Sequence, residues 1–226
     1  MLRRLPLLAA SLLLAGCTIT PGGLSEQQLG SSLPSAAELG RGWSLVGTAT
    51  ERPQDGGWDD ALTDAASGEA DCRDALGELE KVQARPEAAR FARSVYRSPS
   101  RGARADRDLT LTLETFDSPP DRAGAVRAMT AACSDPQAPL TTRAGIRTVT
   151  MTVAPHDGGV GGTGYSVEYE TDGLRYSFDY VVADRDRALI TASITGPSSA
   201  ANQEVLQRAV TLAGANLDRA RGNAPT

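Results

Sequence analysis

Tyr165-Ser166-Val167-Glu168-Tyr169-Glu170-Thr171-Asp172-Gly173-Leu174-Arg175-Tyr176-Ser177-Phe178-Asp179-Tyr180-Val181-Val182 is the stretch that decides the fold. Apolar and polar side chains alternate on both sides of Asp172-Gly173, and a period of two is the signature of a β-strand. Asp-Gly between two alternating runs predicts a tight hairpin, because both residues accept the positive φ of a type I′ turn. Tyr165, Val167 and Tyr169 then share one face. Leu174, Tyr176, Phe178, Tyr180 and Val182 share a face on the partner strand.

Working outward, the same period continues. Val149, Met151 and Val153 alternate with threonines upstream, and Ala188, Ile190, Ala192 and Ile194 alternate downstream of a turn at Asp184 to Arg187. Four closely spaced strands joined by turns predict an antiparallel meander with one polar and one packed face. Gly196-Pro197 ends it. Ser198 or Ser199 caps a last helix, whose stripe of Val205, Leu206, Ala209, Leu212, Ala213 and Leu217 is wide enough to cover a sheet face.

The first half carries weaker versions of these signals. Ser35-Ala36-Ala37-Glu38 is a capping box, followed by a strand over Trp43 to Ala49. Arg52 to Gly68 is irregular, with Trp58 expected to fold back onto the core or to serve as an aromatic lid. A helix from Ala70 turns Cys72, Ala75, Leu76 and Leu79 to one side. Arg90 to Arg97 fits either period. It is assigned as a strand because Leu109, Leu111 and Leu113, alternating with Thr110, Thr112 and Glu114, supply a partner; residues 98–107 become a solvated basic hairpin tip with Arg101, Arg104 and Arg107. Ser118-Pro119-Pro120-Asp121 places serine at an N-cap and proline at the first helical position. That helix ends at Cys133, before Pro136 and Pro139 break the chain. The expected architecture is one α+β domain: an antiparallel sheet of about six or seven strands with helices packed on one face.

The N-terminus addresses location. Arg3 and Arg4 precede an apolar run from Leu5 to Leu14, and Leu14-Ala15-Gly16-Cys17 follows. A basic start, a short apolar run and small residues at a cut site describe a secretory signal peptide; the run is too short to span a bilayer. Leu-Ala-Gly-Cys resembles the lipobox of bacterial lipoproteins. That resemblance implies diacylglycerol on the Cys17 sulfur, cleavage before Cys17 and a palmitate-type lipid anchor on the extracytoplasmic face of the cell membrane. The expected division is residues 1–16 signal peptide, 17–34 flexible tether, 35–217 folded domain and 218–226 disordered tail.

Charge and composition narrow the function. The whole chain carries a net charge of −5, and loss of Arg3 and Arg4 with the leader makes it −7. An acidic domain is a poor nucleic-acid partner, since phosphate neutralisation needs clustered cations. Lys81 is the only lysine among 23 basic residues, an arginine bias that suggests a GC-rich, actinobacterial source. With Cys17 assigned to lipid, Cys72 and Cys133 form an even pair in an oxidising compartment, so a disulfide is expected. A two-cysteine metal site is the alternative; His156 is the sole histidine and no Cys-x-x-Cys spacing occurs.

No catalytic constellation is legible. His156 falls in a glycine-rich stretch that implies no ordered neighbour. Gly158-Gly159-Val160-Gly161-Gly162-Thr163-Gly164 lacks the lysine of a phosphate-binding loop and lies between strands rather than before a helix. Gly-x-Ser-x-Gly, His-Glu-x-x-His and Ser-x-x-Lys are absent. Neither a catalytic residue, a cofactor nor a metal is therefore expected, and the chain reads as a non-enzyme. Tyr165, Tyr169, Tyr176, Phe178 and Tyr180 are the candidate ligand-binding residues, because tyrosine joins an apolar body to a polar tip. The competing reading makes them ordinary sheet core under the last helix.

Leu33-Pro34-Ser35-Ala36-Ala37-Glu38-Leu39 leading to Gly42-Trp43, Cys72 opening a helix, and Phe116-Asp117-Ser118 before a helix ending at Cys133 together resemble PknH-like extracellular sensor domains of actinobacterial lipoproteins and receptor kinases. The resemblance runs over residues 33–217. It implies an antiparallel sheet with helices packed on it, a cleft for an unidentified extracellular ligand, and no catalytic residue. This chain departs from that pattern in having one cysteine pair where the kinase sensor has two, and in Ala132 before Cys133 where a tryptophan is often found. Expected partners are the membrane, through the N-terminal lipid, and a small ligand or cell-envelope protein; the rival function is a lipid carrier with an apolar cavity.

Overall fold

A computed structural model describes residues 24–49, 66, 69–84, 90–99, 106–134, 140–144, 147–159, 161–171 and 173–222. The signal peptide, Cys17 and Trp58 lie outside the described residues.

The first ordered element is a helix that composition conceals. α1 (Glu26–Ser32) begins at Ser25, whose hydroxyl accepts from the Gln28 amide while the Gln28 side chain accepts from the Ser25 amide. Leu24, just before the cap, and Leu29, at the fourth helical position, are both buried in the same core cluster, the arrangement of a hydrophobic staple. The expected tether of 17–34 is thus corrected over residues 24–34, which belong to the folded domain, because Gln28 and Leu29 outweigh the surrounding glycines and serines. α2 (Ala36–Leu39) follows with the expected Ser35/Glu38 capping box and stops at Gly40, whose φ of 115° suits glycine alone.

Among the described residues eight antiparallel strands follow: β1 (Ser44–Ala49), β2 (Arg90–Ser98), β3 (Arg107–Thr115), β4 (Leu140–Ala144), β5 (Arg147–Asp157), β6 (Gly162–Thr171), β7 (Leu174–Arg185) and β8 (Ala188–Pro197). They form one sheet in the order β1-β2-β3-β8-β7-β6-β5-β4. The hairpin at Asp172-Gly173 is as expected, with Thr171 opposite Leu174 and Gly173 at φ 71°. The ambiguous run at 90–97 is a strand, paired residue for residue with β3. α3 (Ala70–Ala84) precedes β2, α4 (Arg122–Cys133) joins β3 to β4 at the far edge, and α5 (Ala200–Ala220) closes the chain.

The α+β class and the single antiparallel sheet agree with expectation. Two details differ. β4, after Pro136 and Pro139, makes the count eight. The helices also use both faces of the sheet rather than one. Val181 and Ala183 join one cluster with Leu109, Leu111, Leu113, Ile190, Ile194 and the α1 and α5 residues Leu29, Leu206, Val210 and Leu217. Tyr180 and Val182 join a second with Met151, Val153, Tyr165, Val167 and the α3 and α4 residues Leu76, Leu79, Val126 and Met129. Successive strand residues point to opposite faces, so the strongly apolar Tyr180-Val181-Val182-Ala183 run is covered from both sides.

Two helix boundaries also move. Asp121, not Ser118, caps α4, its carboxylate accepting from the Gly124 amide at 2.7 Å; a residue before proline is steered away from helical φ/ψ, so Ser118 and Pro119 stay outside. α5 starts at the expected cap Ser199 but runs to Ala220, so residues 218–220, expected in the tail, are helical. Residues 223–226 lie outside the described set.

Candidate ligand-binding face

The five aromatic candidates come together. Across β6 and β7, Tyr165 lies opposite Tyr180, Val167 opposite Phe178 and Tyr169 opposite Tyr176. Ring centroids are 5.2 Å apart for Tyr165–Tyr180, 6.0 Å for Tyr165–Phe178 and 6.2 Å for Phe178–Tyr180. Tyr169 and Tyr176 stack at 5.7 Å with 18° between their planes. All of these lie within the 4.5–7 Å range of favourable aromatic pairs. Burial is graded: Tyr165 and Tyr180 are buried, whereas Tyr169, Tyr176 and Phe178 are half-buried. Burial is the main cause that raises the Tyr169 pKa, with its neighbour Tyr176 adding to it.

The cover over this face is the α3–α4 pair rather than the last helix. α4 packs on β5, β6 and β7, and α3 packs on α4. The expectation that the aromatics lie under α5 is corrected by strand parity: even-numbered residues of β7 face α4, and odd-numbered ones face α5. Cys72 in α3 and Cys133 at the end of α4 form a disulfide with Cα atoms 4.8 Å apart, as expected from the cysteine count. The start of α4 is fixed separately. Arg122 donates to Glu114 of β3 in a buried ion pair and stands 5.8 Å over the Phe116 ring.

Beyond the aromatics the same face turns polar. On β8, Thr191, Ser193 and Thr195 lie opposite Val182, Tyr180 and Phe178. Thr110 and Thr112 of β3 and Arg93 of β2 continue the surface, all half-buried. Arg93, Thr112 and Thr191 make one cross-strand row. Within it, Arg93 Nε and Thr191 Oγ1 are shielded from solvent and have no hydrogen-bond partner among the described residues. A shielded polar atom left unpaired costs about 1–3 kcal/mol, and this row holds two of the seven such side-chain atoms among the described residues. Sequence reading passed over it, since threonines alternating with leucines in β3 look like a plain solvent face. The unpaired atoms come from the β2-β3-β8 adjacency, which no local pattern encodes.

His156 is placed in β5, not in a loop. Its Nδ1 lies 3.2 Å from the Asp157 carbonyl, and its ring covers Gly164, where a Cβ would come within 2.5 Å of His156 Cε1. It faces away from the aromatics. A second polar group is also structural: Asp179 accepts from Ser166, Ser177 and Asn202 at 2.5, 2.7 and 3.0 Å, which fastens the start of α5 to β6 and β7. Among the described residues no group of three or more His, Cys, Asp or Glu side chains is placed to hold a metal.

On the α5 side, an open groove of about 630 Å³ lies between the α1–α2 connection, β1, β2 and the end of α5. Its lining includes Ser31, Glu38, Leu45, Thr48, Tyr96 and Arg219. The Ser35 backbone amide and then its hydroxyl hold the Glu38 carboxyl below its ordinary pKa. Tyr96 is buried and donates to the Pro34 carbonyl. Burial raises its pKa.

No protein-family model matches this chain, and no curated protein matches it. Among solved structures it is similar to the extracellular domain of PknH from Mycobacterium tuberculosis, at 12% identity and a TM-score of 0.54. The match covers 88% of this chain and 97% of that one. At this identity the likeness is one of fold.

Proposed function

We propose that the chain is a lipid-anchored extracytoplasmic lipoprotein whose domain is a sensor-like, non-enzymatic module for a small amphipathic ligand or a cell-envelope partner. The anchor rests on Leu14-Ala15-Gly16-Cys17 behind its apolar run. The binding role rests on the bipartite sheet face. Half-buried Tyr169, Tyr176 and Phe178 offer apolar and stacking surface, and Thr191, Ser193, Thr195 and Arg93 offer hydrogen bonds directly beside it. Such a pairing suits a molecule with one apolar and one polar end. The fold shared with a kinase's extracellular domain supports the same reading. The groove that the structure does describe is lined largely by polar groups and lies on the other face, which gives no support to a lipid carrier.

Lauric acid and lysophosphatidylcholine are suitable probes. Binding raises the melting temperature of the folded state, so saturating probe is expected to shift the wild-type Tm upward and to shift Tyr176→Ala and Thr195→Val much less. NMR perturbations should centre on Tyr169, Tyr176, Phe178 and Thr195. Perturbations confined to the α5-side groove, or no shift with either probe, would overturn the assignment of this face.

A further inference from the structure

Leu45 and Val46 are the exposed large hydrophobic residues among those described, at 54% and 53% exposure. They are adjacent, and both lie on β1, the edge strand whose every residue is exposed. Edge strands are normally protected by charge or cover. Trp43, half-buried beneath Arg107 at 5.5 Å, adjoins them, and Arg41 stands exposed just before. An exposed aliphatic pair flanked by tryptophan and arginine is the composition of a membrane–water interface.

Chain length says which surface this edge meets. Only six residues lie between Cys17 and Leu24, seven chain steps in all, and Leu24 is fixed in the core. Fully extended, they span about 25 Å. α1 adds about 10 Å along its axis, and its last turn lines the groove together with Leu45. The sheet extends from β1 to β4 over roughly 34 Å, at about 4.8 Å per strand. Docking α1 against β2 therefore puts the point where the tether joins the domain nearer the β1 edge than the β4 edge.

We propose that the β1 edge, through Trp43, Leu45 and Val46, lies against the outer surface of the bilayer at headgroup depth, so that the lipid surface itself is a partner of the domain. This inference rests on the reading of Cys17 as lipidated. The lipid surface would cover the apolar pair, and water and headgroups would satisfy the free backbone groups of the edge.

The test uses the full mature chain, extracted with its lipid and reconstituted in brominated phosphatidylcholine vesicles. Intact mass establishes whether Cys17 carries diacylglycerol. With Trp58→Phe leaving Trp43 as the sole tryptophan, bromine should remove most of its emission. Leu45→Glu/Val46→Glu should restore that emission without lowering Tm, and Thr152→Glu on β5 should leave the quenching unchanged. Should Trp58→Phe fail to fold, quenching of the native pair of tryptophans and its relief by Leu45→Glu/Val46→Glu give the same readout. Diacylated protein with unquenched Trp43, or quenching unmoved by the double glutamate variant, overturns the orientation while leaving the anchor intact. Absence of the acyl mass overturns the anchor, and the orientation with it.

Discussion

The two faces of the sheet are built from different chemistry. The α5 face is aliphatic and closed over its centre, with an open groove at its β1 end: Leu109, Leu111, Leu113, Ile190, Ala192 and Ile194 meet Leu206, Val210, Ala213 and Leu217, nearly all fully buried. The α4 face is aromatic at one end and hydroxylated at the other, and its cover is held by a disulfide and a buried ion pair. Interdigitated aliphatic side chains supply stability through volume and fit. The α4 face sets buried aromatics beside half-buried threonines, and a disulfide ties its two covering helices together. The comparison teaches that one sheet can carry two unlike faces, an aliphatic one with an open groove at its β1 end and a mixed aromatic and hydroxylated one tied down covalently.

Breaking the disulfide gives the largest expected effect. Cys72→Ser/Cys133→Ser opens a long loop and should cost about 4 kcal/mol, read as a lower urea midpoint. Hydrogen exchange should rise first in α3 and α4, while α5 keeps its protection. Equal loss on both faces would erase the proposed division. Next come paired truncations. Leu206→Ala removes a fully buried side chain from the closed face and should cost about 2–5 kcal/mol, whereas half-buried Tyr176→Ala should cost clearly less and instead remove probe binding. Comparable destabilisation by the two would make the aromatic face ordinary core.

The smallest effect is an alkaline one. Burial keeps Tyr96 on the closed side and Tyr169 on the open side above the ordinary tyrosine pKa. Because the folded pKa exceeds the unfolded one, their stabilising contribution is complete below the unfolded value of about 10 and is lost as pH rises through the folded one. The urea midpoint should therefore fall above that pH, and Tyr169→Phe should reduce the fall. A midpoint independent of pH in that range would show that neither burial persists in solution.

The meander was the most legible part of the molecule, since Asp172-Gly173 fixes a turn and the period of two fixes faces on each side. The aromatic set could be named for the same reason. Which helix covers it could not, because Tyr180-Val181-Val182-Ala183 is apolar at every position and loses the alternation that would mark one side as solvent. α1 escaped notice among small polar residues, though Ser25, Gln28, Leu24 and Leu29 carried its start signal. The Arg93–Thr112–Thr191 row was beyond reach, being assembled from three strands separated by up to 98 positions in the chain.

One adjacency also governs when the molecule can form. On the side away from β2, β3 pairs with β8, not with β4, so Leu109, Leu111 and Leu113 find their second strand neighbour only after Ala188–Pro197 has been delivered, and most of their helical cover only with Ala200–Ala220. A chain emerging N-terminus first would pair this apolar strand with β2 but leave its other edge unpaired until the last strand arrives. Contacts that distant in sequence form slowly, so the last fifth of the protein sets the moment at which the first half can fold.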